Sequence, residues 1–292
     1  MCPELLKGKA VADNIIKEIK TEIENCRLNP KLALILIGYD PASAYYVQNI
    51  IKQCEKNGIT VDLKKHDTMN QDQLTKLISD LNEDPTVNGI MLQKPLPKGI
   101  DENLINNLIH PEKDVDGFNP VNAGRLVLEQ EAFNPCTAQS IIEIIKYYNI
   151  ETSGKHVVVI GRSQIVGKPV ANLLLNKNAQ GNATVTVCHS RTENLAKYTK
   201  EADILIAAIG KANFITAEMI KDNVIIIDAG INEITDDSGK NSYVGDIDFN
   251  SCLPKSKAIT PVPGGVGSVT TSVLLKHIVS SAKKMQFFNK KG

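Results

Sequence analysis

His156-Val157-Val158-Val159-Ile160-Gly161-Arg162-Ser163-Gln164-Ile165-Val166-Gly167-Lys168-Pro169 is the stretch on which the fold turns. A β-branched run reads as a buried strand, Gly161 ends it in a tight turn, and an apolar helical pattern over Val166–Leu175 follows. Such a strand, turn and helix direct backbone N–H groups and the positive end of a helix dipole at one point, where a pyrophosphate is readily held. Against the Gly-x-Gly-x-x-Gly fingerprint, Ser163 and Val166 stand at the second and third glycines. An ordinary βα turn, with Gly167 easing helix packing, is therefore the alternative reading of this segment alone. The end of the next strand bears on cofactor type. An NAD site commonly carries Asp or Glu there for the ribose 2′-OH, whereas this chain reads Cys188-His189-Ser190-Arg191. Ser190, Arg191 and Arg162 would instead surround a 2′-phosphate, each charge-assisted hydrogen bond contributing on the order of 1.5–3 kcal/mol. NADP is the expected cofactor, with a solvated surface charge as the alternative for Arg191.

Outward from this unit, short β-branched runs alternate with longer helical patterns. Strands are expected at Leu32–Ile37, Thr60–Leu63, Gly89–Leu92, His156–Ile160, Thr184–Val187, Ile204–Ala208 and Val224–Asp228. Amphipathic helices are expected at Leu6–Asn25, Ala42–Asn57, Gln71–Leu81, Ala138–Tyr148 and Val166–Leu175, with a shorter one at Thr216–Lys221. The class is α/β with largely parallel sheets. Gly210 and Gly230 each follow an apolar strand and so belong at carboxyl ends, where open parallel sheets bind ligands. Two long irregular segments, Ile109–Cys136 and Asp246–Val269, read as functional or interdomain. They divide the chain into an N-terminal domain of residues 1–137, a nucleotide domain of residues 138–269, and a last segment, 270–292, whose helix Thr270–Ala282 returns to the first domain.

Composition narrows the function classes. The 292 residues fit two domains at roughly 100–200 residues each. Lys plus Arg equals Asp plus Glu, so no global field favours nucleic acid or an anionic membrane. Cys2, Cys26, Cys54, Cys136, Cys188 and Cys252 are scattered without a Cys-x-x-Cys pair, which argues against a zinc site or a disulfide framework. Neither a signal pattern in Met1–Ala10 nor an apolar run of membrane-spanning length is evident, and a cytoplasmic location is expected.

Several strings, in order along nearly the whole chain, carry a resemblance. They are Asp40-Pro41-Ala42-Ser43 leading to Tyr46, Gly89-Ile90-Met91-Leu92-Gln93-Lys94-Pro95-Leu96-Pro97, Lys113-Asp114-Val115-Asp116-Gly117-Phe118, Pro135-Cys136-Thr137, the Gly161–Gly167 turn, and Thr260-Pro261-Val262-Pro263-Gly264-Gly265-Val266-Gly267. Together they resemble the bifunctional methylenetetrahydrofolate dehydrogenase/methenyltetrahydrofolate cyclohydrolase family. The resemblance implies a homodimer of two-domain α/β subunits with a folate cleft between the domains, NADP on a Rossmann-like C-terminal domain, and a role in one-carbon metabolism that feeds purine biosynthesis. It implies that Tyr46 stacks on the folate, Asp116 hydrogen-bonds the pterin, Gln93 assists catalysis, and Pro263, Gly264 and Gly265 contact substrate. Cofactor contacts would fall on Gly161, Arg162, Ser163, Ile165, Ser190, Arg191 and Ile231, with Thr270 at the junction of folate and nicotinamide. Taken singly, Tyr46 also reads as a surface aromatic, Gln93 as a loop-capping amide, Asp116 as a turn residue and the Pro-Gly string as a rigid linker.

One position departs from the family pattern with chemical consequences. The family's lysine, four residues after the tyrosine and on the same helix face, is here Ile50. Lys52 lies about 600° of helical rotation from Tyr46 and points elsewhere. Lys94, where the family has an apolar residue, is the candidate substitute, and the apolar stripe of Val47, Ile51 and Cys54 offers a plain structural reading of Ile50. A second departure, Ala138 after Pro-Cys-Thr, touches no chemistry. Hydride transfer from the methylene carbon needs mainly positioning. Adding water to the methenyl product needs acid–base help, typically worth ~10²–10⁴-fold, which isoleucine lacks. The expected activity is therefore NADP-dependent dehydrogenation with cyclohydrolase weakened or lost. Full bifunctionality through Lys94 or water, and a non-catalytic binding paralogue, are the alternatives.

Overall fold

Lys31-Leu32-Ala33-Leu34-Ile35-Leu36-Ile37 is buried along almost its whole length, as expected of a strand covered on both faces. Thr60–His66 and Gly89–Leu92 flank it in parallel, and Ile90 extends the pairing to Asp114. The computed structural model describes residues 3–235, 239 and 241–289, with the side chains of Ala42, Phe288 and Asn289 left outside the description; Met1 and Cys2 lie beyond it too.

This three-stranded sheet belongs to a unit made of Asn14–Asn134 and the segment from Thr271. Its helices start where the sequence provides caps. Asp40 accepts the Ser43 N–H at 2.8 Å ahead of Pro41–Lys56, and Asn70 with Gln73 forms a reciprocal capping box ahead of Gln71–Glu83. Leu74, Ile78 and Leu81 of the second helix pack on Ala33, Ile35 and Ile90. Gly89 is required for close approach, since a Cβ there would meet the Val115 side chain at 2.8 Å. The terminal helix Gly267–Asn289 enters this unit through His277, whose Nδ1 pairs with the Val115 carbonyl at 2.8 Å, and Ser281, whose hydroxyl donates to the Glu112 carbonyl at 2.7 Å.

The second unit comprises residues up to Asp13 together with Pro135–Thr270. Its sheet is parallel throughout, in the order Glu4–Leu5, Ser256–Ile259, Val224–Asp228, Ile204–Ala207, His156–Ile160, Thr184–Cys188. From His156–Ile160 the chain goes first to one side, then to the other, so the strand order reverses at Gly161. That reversal opens the crevice where doubly wound sheets bind nucleotides. Asn232–Thr235 and Asn241–Val244 form a separate antiparallel pair.

Four expectations need correction. Residues 3–13 group with the nucleotide unit, because Glu4–Leu5 pairs with Ser256–Ile259 and the Gly8 N–H donates to the Gly264 carbonyl at 2.8 Å. Ile109–Cys136 contains a helix, Pro120–Val127, capped by Asn119. Asp246–Val269 contains the short helix Phe249–Cys252, a 3₁₀ turn and the strand Ser256–Ile259. At Thr216–Lys221 only the 3₁₀ turn Ala217–Met219 forms, too short to express an amphipathic face. Among the described residues no helix is long and apolar enough to cross a membrane.

Candidate active site

In the first unit, Gln93 is the candidate residue that lies at the carboxyl ends of the three strands. A cavity of about 520 Å³ there is bordered by Tyr39, Asp40, Ser43, Gln93 and Lys98 among others, while Tyr46 and Asp116 are not among the residues lining it. The Ser43 hydroxyl and the Gln93 amide both donate to the Lys94 carbonyl, at 3.3 and 2.7 Å, tying the start of Pro41–Lys56 to the turn after Gly89–Leu92. Gln93 Oε1 is buried without a protein partner. A buried amide oxygen left so is costly unless water or a ligand donates to it. Tyr46, one turn beyond Ser43, is 37% exposed at the edge of this face. Ile50 is 0% exposed and continues the buried row Ser43, Val47, Ile50, Cys54. Burial in that apolar row pushes the Cys54 thiol up to about 12, with the Glu55 charge adding to the effect.

Lys94 has partners of its own. Its ammonium pairs with Glu102 Oε1 at 2.5 Å and lies 4.0 Å from the centroid of the Phe118 ring. Lys94, the candidate substitute for the missing lysine, thus has its ammonium between a carboxylate and a ring face.

The string Lys113–Phe118 divides its labour. The Lys113 ammonium donates to the carbonyls of Leu81, Asn82 and Asp84, closing the end of Gln71–Glu83, and its own burial pulls its pKa down. Asp114 is 2% exposed and accepts from Phe118 N, Asn119 N and Asn122 Nδ2; burial pushes its carboxyl up despite those donors. Gly117 takes φ +78°. Lys113 and Asp114 thus anchor the loop on which half-buried Asp116 is carried. Their type gave no sign of this, because every partner but Asn122 is backbone.

In the second unit, Gly161 has φ +128°, and a Cβ on it would run into the Ala208 carbonyl oxygen; one on Gly167 would run into the Gly161 carbonyl. Both glycines are therefore needed for turn, helix and neighbouring strand to meet backbone to backbone. Ser163 takes the helix start, its hydroxyl accepting from Val166 N and Gly167 N and its carbonyl from Lys168 N. Arg162 and Ile165 are exposed beside it. Because Ile160 pairs with Cys188 and Gly161 N donates to the Cys188 carbonyl at 2.8 Å, Arg162 and Ser190 leave adjacent strand ends. Ser190 and Arg191 are exposed in a turn where Thr192 Oγ1 accepts from His189 N and His189 Nδ1 from Arg191 N. Ile231 is 67% exposed after Val224–Asp228. The Thr260–Gly267 string leaves the next strand. Pro263 is exposed, Gly264 takes φ +108°, and a Cβ on Gly265 would press the Thr260 side chain at 2.9 Å. Thr270 donates its hydroxyl to the Gly267 carbonyl at 3.0 Å. The sequence reading missed two buried acids behind these loops, Asp228 and Asp246. No motif marks them.

Comparison with known proteins bears on both units. Residues 6–116 match the catalytic domain, and residues 135–286 the NAD(P)-binding domain, of tetrahydrofolate dehydrogenase/cyclohydrolase. The chain is 51% identical over 286 residues to the bifunctional protein FolD of Chloroherpeton thalassium, covering 95% of this chain and 97% of that protein. The crystal structure of the bifunctional FolD methylenetetrahydrofolate dehydrogenase/cyclohydrolase from Campylobacter jejuni superposes with a TM-score of 0.90 at 44% identity, over 96% of this chain and 98% of that one. The Trypanosoma brucei methylenetetrahydrofolate dehydrogenase-cyclohydrolase, solved with NADP cofactor and inhibitor, gives 0.88 at 35% identity, over 97% and 98%.

Proposed function

Since the chain belongs to the tetrahydrofolate dehydrogenase/cyclohydrolase family, we propose that it oxidises 5,10-methylenetetrahydrofolate to the 5,10-methenyl form with NADP, and that its hydrolysis of that product to 10-formyltetrahydrofolate is slow. The observation that carries the second half is Ile50, fully buried where the family places an ammonium, with Lys94 bound to Glu102.

The turn at Gly161 suits a dinucleotide, because side chains at 161 and 167 would fill the space its backbone needs. Arg162, Ser190 and Arg191 would hold the 2′-phosphate, Gly161, Ser163 and Ile165 the pyrophosphate region, and Ile231 and Thr270 the nicotinamide end. When bound, NADP supplies the hydride acceptor. Tyr46 would stack on the folate, Asp116 would hydrogen-bond the pterin, and Pro263, Gly264 and Gly265 would shape the substrate's far side. Gln93 Oε1 is an acceptor in need of a donor, and a water held there is the nucleophile available for slow hydrolysis. A homodimer in the cytoplasm completes the reading.

The test is an absorbance assay in which methylenetetrahydrofolate and NADP are added together, followed by light scattering for the dimer. Expected are rapid NADPH formation and a methenyl signal that accumulates. Rapid enzymatic decay of that signal would mean full bifunctionality, and cofactor binding without turnover a non-catalytic paralogue. Replacing Arg162 and Ser190 together by alanine should raise the KM for NADP far more than that for NAD.

A further inference from the structure

Behind the crevice of the nucleotide unit lie two carboxylates that no proposed contact uses. Asp246 is 0% exposed. It accepts from Ile209 N at 2.6 Å, Gly210 N at 3.0 Å, Lys211 N at 2.9 Å and Asn232 Nδ2 at 2.9 Å. The three amides belong to the loop leaving Ile204–Ala207, and Asn232 follows the loop leaving Val224–Asp228. Asp228 completes the arrangement, accepting from Gly230 N at 2.9 Å, Asp246 N at 3.2 Å and Ile247 N at 2.9 Å. Backbone is drawn tight around both acids. A Cβ on Gly230 would collide with the Asp246 carboxylate, and one on Gly245 with Asp228 Oδ2.

We propose that Asp246 is a positioning residue for the bound dinucleotide: its carboxylate gathers the Ile209–Lys211 amides and Asn232, fixing two neighbouring carboxyl-end loops at the crevice. The inference rests on the NADP reading above. Loops at such ends bear the ligand contacts in open parallel sheets, and a ligand binds weakly when it must first order them. Here the ordering is done from inside. Gly210 at φ +73° and exposed Ile231 are held out towards solvent by groups whose N–H bonds point inward to the acid. An amide would not serve. Four donors converge, and asparagine offers one acceptor oxygen while turning two further N–H bonds on its neighbours.

Asp246→Asn therefore keeps the shape and spoils the donor–acceptor match. Calorimetric titration of NADP into the folded variant, its fold checked by circular dichroism, should show a Kd raised at least tenfold. In the dehydrogenase assay the KM for NADP should rise similarly, while that for methylenetetrahydrofolate stays within about twofold. A role in stability alone would lower the melting temperature and leave the Kd of the folded fraction unchanged, which would overturn the proposal. Should Asp246→Asn not fold, Asn232→Ala decides. It removes one donor of the four and should weaken NADP binding about threefold to fivefold, and an unchanged Kd there is equally fatal. Wild-type protein that binds neither NADP nor NAD would remove the premise, and the proposal with it.

Discussion

On the proposed reading, the side chain at position 50 is what would set the dehydrogenase and cyclohydrolase activities apart. Ile50 extends a row of buried residues, Ser43, Val47 and Cys54. Ile50→Lys places an ammonium in that row, where desolvation opposes its charge and lowers its pKa. The variant should be less stable in urea unfolding, by on the order of several kcal/mol. If its ammonium reaches Gln93, hydrolysis of methenyl-folate should rise ~10²-fold, about 2.7 kcal/mol of transition-state stabilisation. The gain should vanish in the double variant Ile50→Lys/Gln93→Ala. Hydrolysis unaffected by Ile50→Lys, or fast in the natural protein and insensitive to Lys94→Leu, would refute this account of the helix.

At the scale of elements, the turn between His156–Ile160 and Gly167–Leu175 is the point of least tolerance. Gly161→Ala meets two obstacles, a φ of +128° and the Ala208 carbonyl in the path of its methyl group. Strand ends must separate to accept it, and the crevice changes shape. The expected result is a loss of NADP binding by at least tenfold together with a lower melting temperature. Gly154→Ala, in the loop before His156–Ile160, provides the contrast, because no atom lies within 4 Å of its added Cβ and only the backbone strain at φ +71° remains. Comparable losses in both variants would show that close packing at Gly161 is not what matters. The strands His156–Ile160 and Val224–Asp228 were legible because runs of β-branched residues declare themselves. Glu4–Leu5 and Ser256–Ile259 were not, the first having only 2 residues and the second reading Ser-Lys-Ala-Ile with a single β-branched side chain.

Global stability carries the signature of one buried acid, Asp228. Burial pushes the Asp228 carboxyl from its ordinary 3.8 up to about 6, with the Asp246 charge adding to it and the N–H bonds from Ile247, Gly230 and Asp246 opposing it. Between those values the folded chain holds a proton that the unfolded chain has released. The stability from this group is therefore full below its ordinary value and lost as pH rises through about 6. The difference is worth roughly 3 kcal/mol. In urea unfolding, the advantage of the natural protein over Asp228→Asn should shrink by about that amount between pH 3 and pH 7.5. A difference independent of pH would show that Asp228 does not titrate in this window.

What the sequence determined by itself was the alternation of strands and helices, the glycine turn that starts the nucleotide unit, the family and its chemistry, and the absence of a cation at position 50. Each is written in neighbouring residues or in ordered motifs. What only tertiary structure decided were matters of partner and burial. Lys94, the candidate substitute for the family's lysine, has Glu102 and Phe118 beside it. Lys113 and Asp114 proved to hold a loop, and residues 3–13 joined the nucleotide unit. Asp246 shows the reason most clearly. Its amide partners stand 35 to 37 residues away in the chain, and the N–H groups it binds are common to almost every residue, so no side-chain pattern announces them until the fold brings them together.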